Sequence, residues 1–306
     1  MLAWLAYLTA SVVWGSTFLA IAFAIETFTP WGLSAVRFIP AGILALLIGR
    51  LRKESFPSWR EIPHIALVGI TLLGLCMALI GWAEGRVSSG LAATLGATVP
   101  LFLALMDPRG LDAKAWCGLG LGFLGVLVLL WPAEQSPALA GAAALVLSAS
   151  LWAYGTLYGK RHAGDSGHFS QIGLEMLVAG ALSLLAASLT GGISHGKWNP
   201  RSLLAVGYLI TFGSILAYSA YIYLSKVWPS AKAGTYAYWN PVVGVLLGCW
   251  LRGETLHARM LPGLVCILLG VALVQIPWPK ALRSGPANRG ATYPTDEPGV
   301  GAGRGV

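Results

Sequence analysis

Apolar runs of about twenty residues recur along almost the whole chain and are separated by short polar connections. A helix that crosses a lipid bilayer needs about 20 predominantly apolar residues. The pattern therefore predicts an all-α integral membrane protein with ten transmembrane helices. The ten segments lie near residues 4–23, 31–49, 63–83, 88–106, 114–131, 139–159, 170–189, 203–225, 232–251 and 259–277.

Composition agrees with this class and excludes others. Of the 306 residues, 56% are hydrophobic and 10% are charged, whereas soluble globular domains have about 25% charged residues. The net charge of +8 sits mainly in the connections between predicted helices, so it indicates membrane topology and not a nucleic-acid partner. The four cysteines fall on four different predicted helices without CxxC spacing. We therefore expect no disulfide framework, no metal site and no cofactor.

Lys and Arg residues are concentrated in the connections that share a side with both termini. The positive-inside rule then predicts a multi-pass protein of a bacterial-type inner (plasma) membrane, with both termini in the cytoplasm. Residues 279–306 are rich in Pro and Gly and lack an apolar period. We expect this C-terminal tail to be disordered.

The two halves of the chain resemble each other at a spacing that grows in order along the sequence. Trp14 matches Trp152 at a spacing of 138 residues, Pro100 matches Pro241 at 141, and GLGLGFLGVLVLLWP (118–132) matches GLVCILLGVALVQIP (263–277) at 145. This ordered drift indicates a duplication, with predicted repeats at residues 1–136 and 137–278. Each repeat holds five helices, so the second one enters the membrane in the opposite direction. Inverted repeats of this kind are typical of secondary transporters.

Pro100 and Pro241 occupy equivalent positions in the fourth and ninth predicted helices. Proline lacks an N–H donor and clashes with the carbonyl four residues earlier. Backbone groups freed within a membrane must be satisfied by protein or by a wet cavity. The pair predicts a hinge or gate beside a midplane site, with a carbonyl near Tyr236 or Ala237 available to a ligand ammonium. A plain kink without a ligand is the alternative for either proline.

Aromatic residues supply the candidate wall of that site. Trp14 and Trp152 fall near the bilayer centre, where interfacial anchoring of aromatic rings does not apply. Packing between helices explains a single buried Trp, whereas the matched pair predicts a shared wall. Spacings of three or four residues place candidate binding residues of the second half on common helix faces, and positions 141 residues earlier supply the candidates of the first half. These residues are Met77, Ile80, Thr94, Thr98, Tyr218, Tyr221, Tyr236, Trp239 and Asn240.

A pocket of this composition suits a small amphipathic solute. Apolar bodies stack on aromatic or Met side chains, an ammonium meets ring faces, and hydroxyl or amide groups orient the polar end. A phosphate would require converging Arg or Lys side chains, so nucleotide sugars and sugar phosphates are disfavoured. An amino acid or a similar metabolite fits best.

Arg37 and Glu175 are charged residues well inside predicted helices, and they match each other at a spacing of 138. Inversion places them at different depths, so we do not expect them to pair. A gate latch at Arg37 and a proton carrier at Glu175 are the functional interpretations. Snorkelling, or a bond to a backbone carbonyl, is the alternative for each.

Three segments resemble a known family. They are ASVVWGSTFLAIAFAIETFTPWGLSAVRFIPAGILAL (10–46), WAEGRVSSGLAATLGATVPLFLAL (82–105) and AYSAYIYLSKVWPSAKAGTYAYWNPVVGVLLGCWLRGETL (217–256). They are similar to the drug/metabolite transporter (DMT) superfamily, EamA type. The resemblance implies a ten-span exporter with a central cavity lined mainly by helices 1, 3, 4, 6, 8 and 9, and its aromatic content is similar to that of aromatic amino-acid exporters. The family's Gly-Glu pair after the fourth helix is replaced here by LMDPRGLDAK (105–114).

Two other classes are the alternatives to a secondary exporter. An intramembrane enzyme would need a metal set, a Ser with a His or paired carboxylates at membrane depth. The five histidines instead fall in loops or at helix ends, and no HExxH or GxSxG motif occurs. A passive facilitator remains open, because few ionisable residues lie within the membrane. The sequence leaves the coupling ion and the oligomeric state open.

Overall fold

The computed structural model describes residues 1–108, 113–130, 136–196, 198–228, 230–252 and 260–275. The predicted disordered tail lies outside these residues. Within the described part the chain forms ten helices. They are α1 (Leu2–Ala24), α2 (Pro30–Leu51), α3 (Ile62–Glu84), α4 (Ser89–Met106), α5 (Ala113–Leu130), α6 (Ser136–Arg161), α7 (His168–Thr190), α8 (Pro200–Val227), α9 (230–252) and α10 (Met260–Gln275).

The helices coincide with the ten predicted segments to within a few residues. In the described residues, seven of them are long and apolar enough to cross a membrane, namely α1 to α4 and α6 to α8. Shorter apolar stretches, Trp116–Gly125 and Leu261–Gly270, lie in α5 and α10. The fold is therefore nearly all helical and has the character of an integral membrane protein.

Helix starts follow from local sequence. Thr29 accepts a hydrogen bond from the Gly32 N–H and precedes Pro30 at the start of α2. Asn199 accepts from the Arg201 N–H at the start of α8, again before a proline. These side chains satisfy N–H groups that have no partner within the helix. Proline is tolerated at the first position because its missing N–H would have no partner there.

Two helices contain π-helical segments at corresponding places. Gly69–Leu75 interrupts α3 and Leu209–Leu216 interrupts α8. The two segments begin 140 residues apart, close to the spacing that relates Pro100 to Pro241. π-helical segments are rare in proteins and occur frequently at functional sites.

Two other helices are broken just before their prolines. The first half of α4 ends at Gly96, and its second half begins at Val99 with Pro100 in its first turn. In α9, a 3₁₀ segment at Thr235–Tyr238 precedes the α-helix that carries Pro241. The proline pattern had predicted weak points at these positions, and the backbone is interrupted at both.

Connections identify the two ends of the helix bundle. At one end, which we call the N-terminal end, the Trp4 ring contacts Trp228 and the Lys160 ammonium donates to the Trp228 carbonyl. At the opposite end, the Thr29 hydroxyl donates to the Gly192 carbonyl. Trp4, Lys160 and Trp228 therefore mark the N-terminal end, and Thr29 and Gly192 mark the opposite end.

Close helix packing relies on glycine where backbones meet. Helix α2 packs along α7. A Cβ added at Gly42 would lie 2.9 Å from the Gly173 carbonyl oxygen, and one at Gly173 would lie 3.0 Å from that of Gly42. Small residues permit such approach and the van der Waals contacts that hold membrane helices together.

Candidate functional site

A cavity lies at mid-depth in the bundle and extends toward the opposite end. We call it the central cavity. It encloses about 70 Å³ in this conformation, below the range of about 300–1,000 Å³ that is usual for small-molecule sites. Its walls come from α1, α2, α3, α4, α6, α8 and α9. The predicted residues among its lining are Trp14, Arg37, Met77, Ile80, Trp152, Tyr218, Tyr236 and Asn240.

Trp14 lies in the middle of α1 and is 7% exposed. Its Nε1–H donates to the Gly213 carbonyl oxygen at 3.0 Å. Gly213 belongs to the π-helical segment of α8. The bond satisfies an indole N–H that would otherwise be buried without a partner, and it joins the first half of the chain to the second.

Four rings form an aromatic cluster, which we define as Trp14, Trp152, Tyr221 and Tyr236. The Trp14 ring centroid lies 5.2 Å from that of Trp152, 5.1 Å from that of Tyr221 and 4.7 Å from that of Tyr236. Tyr221 also contacts Trp152 at 5.4 Å and Tyr236 at 5.2 Å. These separations are those of packed aromatic pairs. The two tryptophans are therefore in contact at the central cavity, and their role as the wall of a substrate site stays a prediction.

The Trp152 indole N–H has no hydrogen-bond partner, although its side chain is buried. The hydroxyls of Tyr221 and Tyr236 lie near it, but neither accepts a bond of acceptable geometry. The Tyr221 hydroxyl is instead bonded to Thr156 at 2.7 Å. A buried donor without a partner is unfavourable by about 1–3 kcal/mol, so this N–H is available to a ligand in the central cavity.

A second cavity opens toward the N-terminal end, and we call it the N-terminal cavity. Its lining includes Lys160, Glu175, Tyr221 and Lys226. It shares no lining residue with the central cavity. The aromatic cluster lies between the two, because Tyr221 lines one cavity and its ring partners line the other. The aromatic cluster therefore separates the two cavities.

Glu175 is fully buried beside the N-terminal cavity. Its carboxylate accepts hydrogen bonds from the Tyr218 hydroxyl at 2.6 Å and from the Gln171 amide at 2.8 Å. The Lys226 ammonium donates to the Gln171 side-chain oxygen at 3.3 Å. Tyr218 lines the central cavity. A chain of hydrogen bonds therefore runs from Lys226 to the wall of the central cavity.

Arg37 faces the central cavity from α2 and is 5% exposed. Its Nε–H donates to the Ser214 hydroxyl at 2.7 Å, and its Nη1 lies 3.9 Å from the Met77 sulfur. Arg37 and Glu175 form no ion pair in the described part of the chain. Their different depths had predicted this separation.

The structure separates the residues predicted near Pro241. Asn240 is buried at the central cavity, and its Oδ1 has no hydrogen-bond partner. Trp239 is 50% exposed and does not line the cavity. The predicted common face was wrong for Trp239, because neighbouring residues on an α-helix point about 100° apart. The side chain of Pro241 lies outside the described residues.

Two predicted threonines lie behind the wall. The Thr94 hydroxyl donates to the Gly90 carbonyl, and the Thr98 hydroxyl donates to the Leu95 carbonyl. Both side chains are buried but do not line the central cavity. Threonine satisfies its hydroxyl within its own helix in this way, so in this conformation neither hydroxyl is presented to the central cavity, and their contact with a ligand stays a prediction. Pro100 is buried just after the break in α4.

Sequence reasoning missed Gly213 and Ser214. They accept hydrogen bonds from Trp14 and Arg37, and both line the central cavity. A Gly–Ser pair within an apolar run was the available signal. The π-helical geometry that presents the pair has no comparable sequence signature.

Comparisons with known proteins agree with a membrane transporter fold. The chain matches the EamA-like transporter family over residues 1–131 and again over 139–276. It is 37% identical over 269 residues to YedA of Escherichia coli K12, described as an uncharacterized inner membrane transporter, covering 87% of this chain and 88% of that protein. It is 26% identical over 295 residues to a WAT1-related chloroplastic protein of Arabidopsis thaliana, covering 90% of this chain and 70% of that protein.

A crystal structure shares the fold, with a TM-score of 0.66 and 20% identity over 89% of this chain and 95% of that chain. The match to the family spans most of the chain in two stretches, and YedA is similar over nearly its full length. The chain therefore belongs to the EamA-like transporter family of the DMT superfamily and is a membrane transporter of that type.

Proposed function

We propose that the protein is a secondary transporter that exports amino acids, with aromatic and other hydrophobic ones favoured, or similar small metabolites across the inner membrane. One observation carries the proposal. Two cavities reach toward opposite ends of the bundle, and the aromatic cluster separates them. A solute bound at this level would reach either end when the cluster and its helices rearrange. That is the geometry that alternating access requires.

We further propose that residues 1–136 and 137–278 are inverted repeats. The π-helical segments in α3 and α8, and the breaks in α4 and α9, recur at nearly one spacing. Paired irregularities would let one half rock against the other at equivalent points. Pro100 and Pro241 would act as the hinges at these breaks.

The N-terminal end would face the cytoplasm. The connections at this end carry most of the loop Lys and Arg residues, and cytoplasmic loops have such an excess. The N-terminal cavity would then be the cytoplasmic entrance. The central cavity would be the side from which the solute leaves.

The lining of the central cavity supports the proposal that the solute is amphipathic. Trp14, Trp152 and Tyr236 present ring faces and edges, and Met77 and Ile80 add an apolar wall. The Trp152 N–H and the Asn240 oxygen offer one donor and one acceptor without other partners. Such a site binds an apolar body and orients a polar end.

Glu175 would carry a coupled proton. It lies between the N-terminal cavity and Tyr218, whose ring lines the central cavity. Ionisable residues within a membrane commonly mark proton relays. The facilitator alternative differs on this point, since a passive pore would not use the carboxyl group.

Counterflow into proteoliposomes with aromatic, aliphatic and charged amino acids tests the proposal. We expect exchange of aromatic and large aliphatic amino acids, and weak or no exchange of charged ones. Uptake with and without an imposed proton gradient separates coupled transport from a facilitator. Accumulation that persists only with the gradient supports coupling, and equal final levels support the passive alternative. The absence of exchange for every amino acid would overturn the proposed substrate class.

A further inference from the structure

In the described structure, the guanidinium of Arg37 has more N–H donors than the protein acceptors around it use. A guanidinium carries five N–H donors. In the described structure one of them goes to the Ser214 hydroxyl, and another points to the Met77 sulfur, which is a weak acceptor. The Phe38 ring lies below the guanidinium, with its centroid 4.8 Å from the central carbon. The group is thus held in place on one side while it faces the cavity.

No carboxylate neutralises this charge. Within the described residues, no acidic side chain lies within salt-bridge distance of Arg37. Its repeat equivalent, Glu175, is bonded to Tyr218 and Gln171 and lines the other cavity. A buried charge without a partner is strongly unfavourable, in a protein interior and in a membrane alike. An anionic group that enters the central cavity would remove this penalty.

Two further polar atoms in the same cavity lack partners. They are the Trp152 Nε1–H, a donor, and the Asn240 Oδ1, an acceptor. The rest of the wall near them is aromatic or aliphatic, with Phe18 and Ile80 among the lining residues. The cavity therefore offers a cation and a neutral donor to an anion, one acceptor to a donor group, and apolar surface to the remainder of a ligand.

We propose that Arg37 binds the carboxylate of the transported solute. The substrate class is then small monocarboxylates with an apolar or aromatic body, and an α-ammonium strengthens binding without being required. This inference rests on the proposed transport role of the central cavity and assigns Arg37 a contact with the solute in place of a gate latch. A planar guanidinium can hold a carboxylate through two parallel N–H···O bonds.

Binding by the purified full-length protein in nanodiscs tests this assignment. Three probes share a phenyl group and differ in their polar end: phenylalanine, 3-phenylpropionate and phenethylamine. We expect Arg37→Gln to weaken the binding of both carboxylates by about tenfold or more, and not to weaken that of phenethylamine, whose ammonium the Arg37 charge repels. Arg37→Lys keeps the charge but loses the paired geometry of the guanidinium. Its affinity for carboxylates should therefore lie between that of the wild type and that of Arg37→Gln.

A matched control lies on the same helix. Arg50 is an exposed residue in the last turn of α2, and Arg50→Gln removes the same charge away from the cavity. We expect it to leave all three affinities unchanged. Carboxylate affinity within about twofold of the wild type in Arg37→Gln would overturn the assignment. If phenylalanine is still transported by that variant, the proposed function stands without it.

A measurement on the unaltered protein covers the case in which the variants do not fold. Comparison of 3-phenylpropionate with its neutral amide, 3-phenylpropanamide, removes the negative charge of the polar end and replaces one acceptor oxygen by an NH2 donor, with the phenyl group unchanged. Tighter binding of the acid by about tenfold or more supports the proposal. Equal binding overturns it, and failure of every phenyl compound to bind overturns both the assignment and the proposed substrate class.

Discussion

The surroundings of Arg37 and of Glu175, which we call the Arg37 corner and the Glu175 corner, have similar backbone structure and different side-chain chemistry. Arg37 is the eighth residue of α2 counted from the opposite end, and Glu175 is the eighth residue of α7 counted from the N-terminal end. Each packs beside a π-helical segment, Leu209–Leu216 for Arg37 and Gly69–Leu75 for Glu175. One corner faces the central cavity and the other faces the N-terminal cavity.

The two corners differ in the hydrogen-bond partners of their charged side chains. Glu175 receives two hydrogen bonds from neutral side chains, whereas Arg37 keeps donors free toward a cavity. Protein side chains therefore satisfy the Glu175 carboxyl group, whereas we propose that the carboxylate of the solute completes the Arg37 corner. A duplicated backbone can in this way supply one site for a solute and one for coupling.

The largest expected effect on stability comes from adding a side chain at Gly69, which packs against Glu175. A Cβ added at Gly69 would overlap the Glu175 carbonyl oxygen, which belongs to the backbone and cannot turn aside. We expect Gly69→Val to lower the free energy of unfolding by about 3 kcal/mol or to prevent folding. Thermal unfolding and the monodisperse fraction in gel filtration measure this. Gly207→Val is the control, because no atom lies within 4 Å of a Cβ there.

The same test at the Arg37 corner should give a milder result. A Cβ at Gly213 would lie 3.1 Å from the Arg37 Nη2, which is the end of a flexible side chain. We expect Gly213→Ala to fold and to weaken carboxylate binding severalfold, whereas the matched Gly69→Ala already loses folded protein because its Cβ meets backbone atoms. Equal loss of folded protein in both variants would contradict this distinction between the two corners.

The aromatic cluster between the corners gives the next effect in size. We expect Trp14→Ala and Trp152→Ala each to lower transport by about tenfold, with expression nearly unchanged, because both rings belong to the cluster that separates the two cavities. Initial rates of counterflow measure the loss. Trp239→Ala, a half-exposed residue outside the cavity, is the matched control. Normal transport by either cluster variant would remove that residue from the site.

Tyr218→Phe tests how much the hydrogen bond from the Tyr218 hydroxyl to Glu175 contributes to stability. It removes the hydroxyl that donates to Glu175 at 2.6 Å and keeps the ring on the cavity wall. We expect a loss of stability of about 1–3 kcal/mol, since a buried carboxyl oxygen is left without this donor. Thermal unfolding compares it with Tyr154→Phe, which alters an exposed ring. An unchanged midpoint in Tyr218→Phe would show that the bond is dispensable.

The smallest effect concerns a loop at the N-terminal end. Glu61 accepts hydrogen bonds from the backbone N–H groups of Ser58 and Ser166, which hold its pKa below the ordinary value. A group with a lowered folded-state pKa contributes stability above its unfolded pKa of about 4.3, and loses it as the pH falls through the lower folded value. The midpoint difference between wild type and Glu61→Gln should therefore be present at neutral pH and vanish in acid. A pH-independent difference would contradict this.

The sequence predicted the helices well because span length and apolar content determine them. It also placed the breaks in α4 and α9, since a proline inside an apolar run has a definite stereochemical effect. The contact of Trp14 with Trp152 followed from the repeat. These features depend on local sequence or on internal comparison, and both are visible in one chain.

Other features depend on packing and could not be predicted. The π-helical segments have no residue signature, so the exposure of Gly213 and Ser214 to the cavity was missed. Trp239 was placed by helix spacing alone, which does not resolve residues 100° apart at a narrow cavity. Thr94 was named from its match with Thr235 in the other half, and such a match does not reveal that its hydroxyl donates to Gly90 of its own helix.

Alternating access between the two cavities is the central claim, and thiol labelling tests it most directly. Single cysteines at Ile21, in the central cavity, and at Ser225, in the N-terminal cavity, are introduced into a chain whose four cysteines are replaced by alanine. A membrane-impermeant maleimide is applied to one side of sealed vesicles, with and without a proton gradient and phenylalanine. We expect each cysteine to label from one side only, and conditions that drive transport to raise one rate while lowering the other. Labelling of both cysteines from the same side, at rates that transport conditions leave unchanged, would contradict the account.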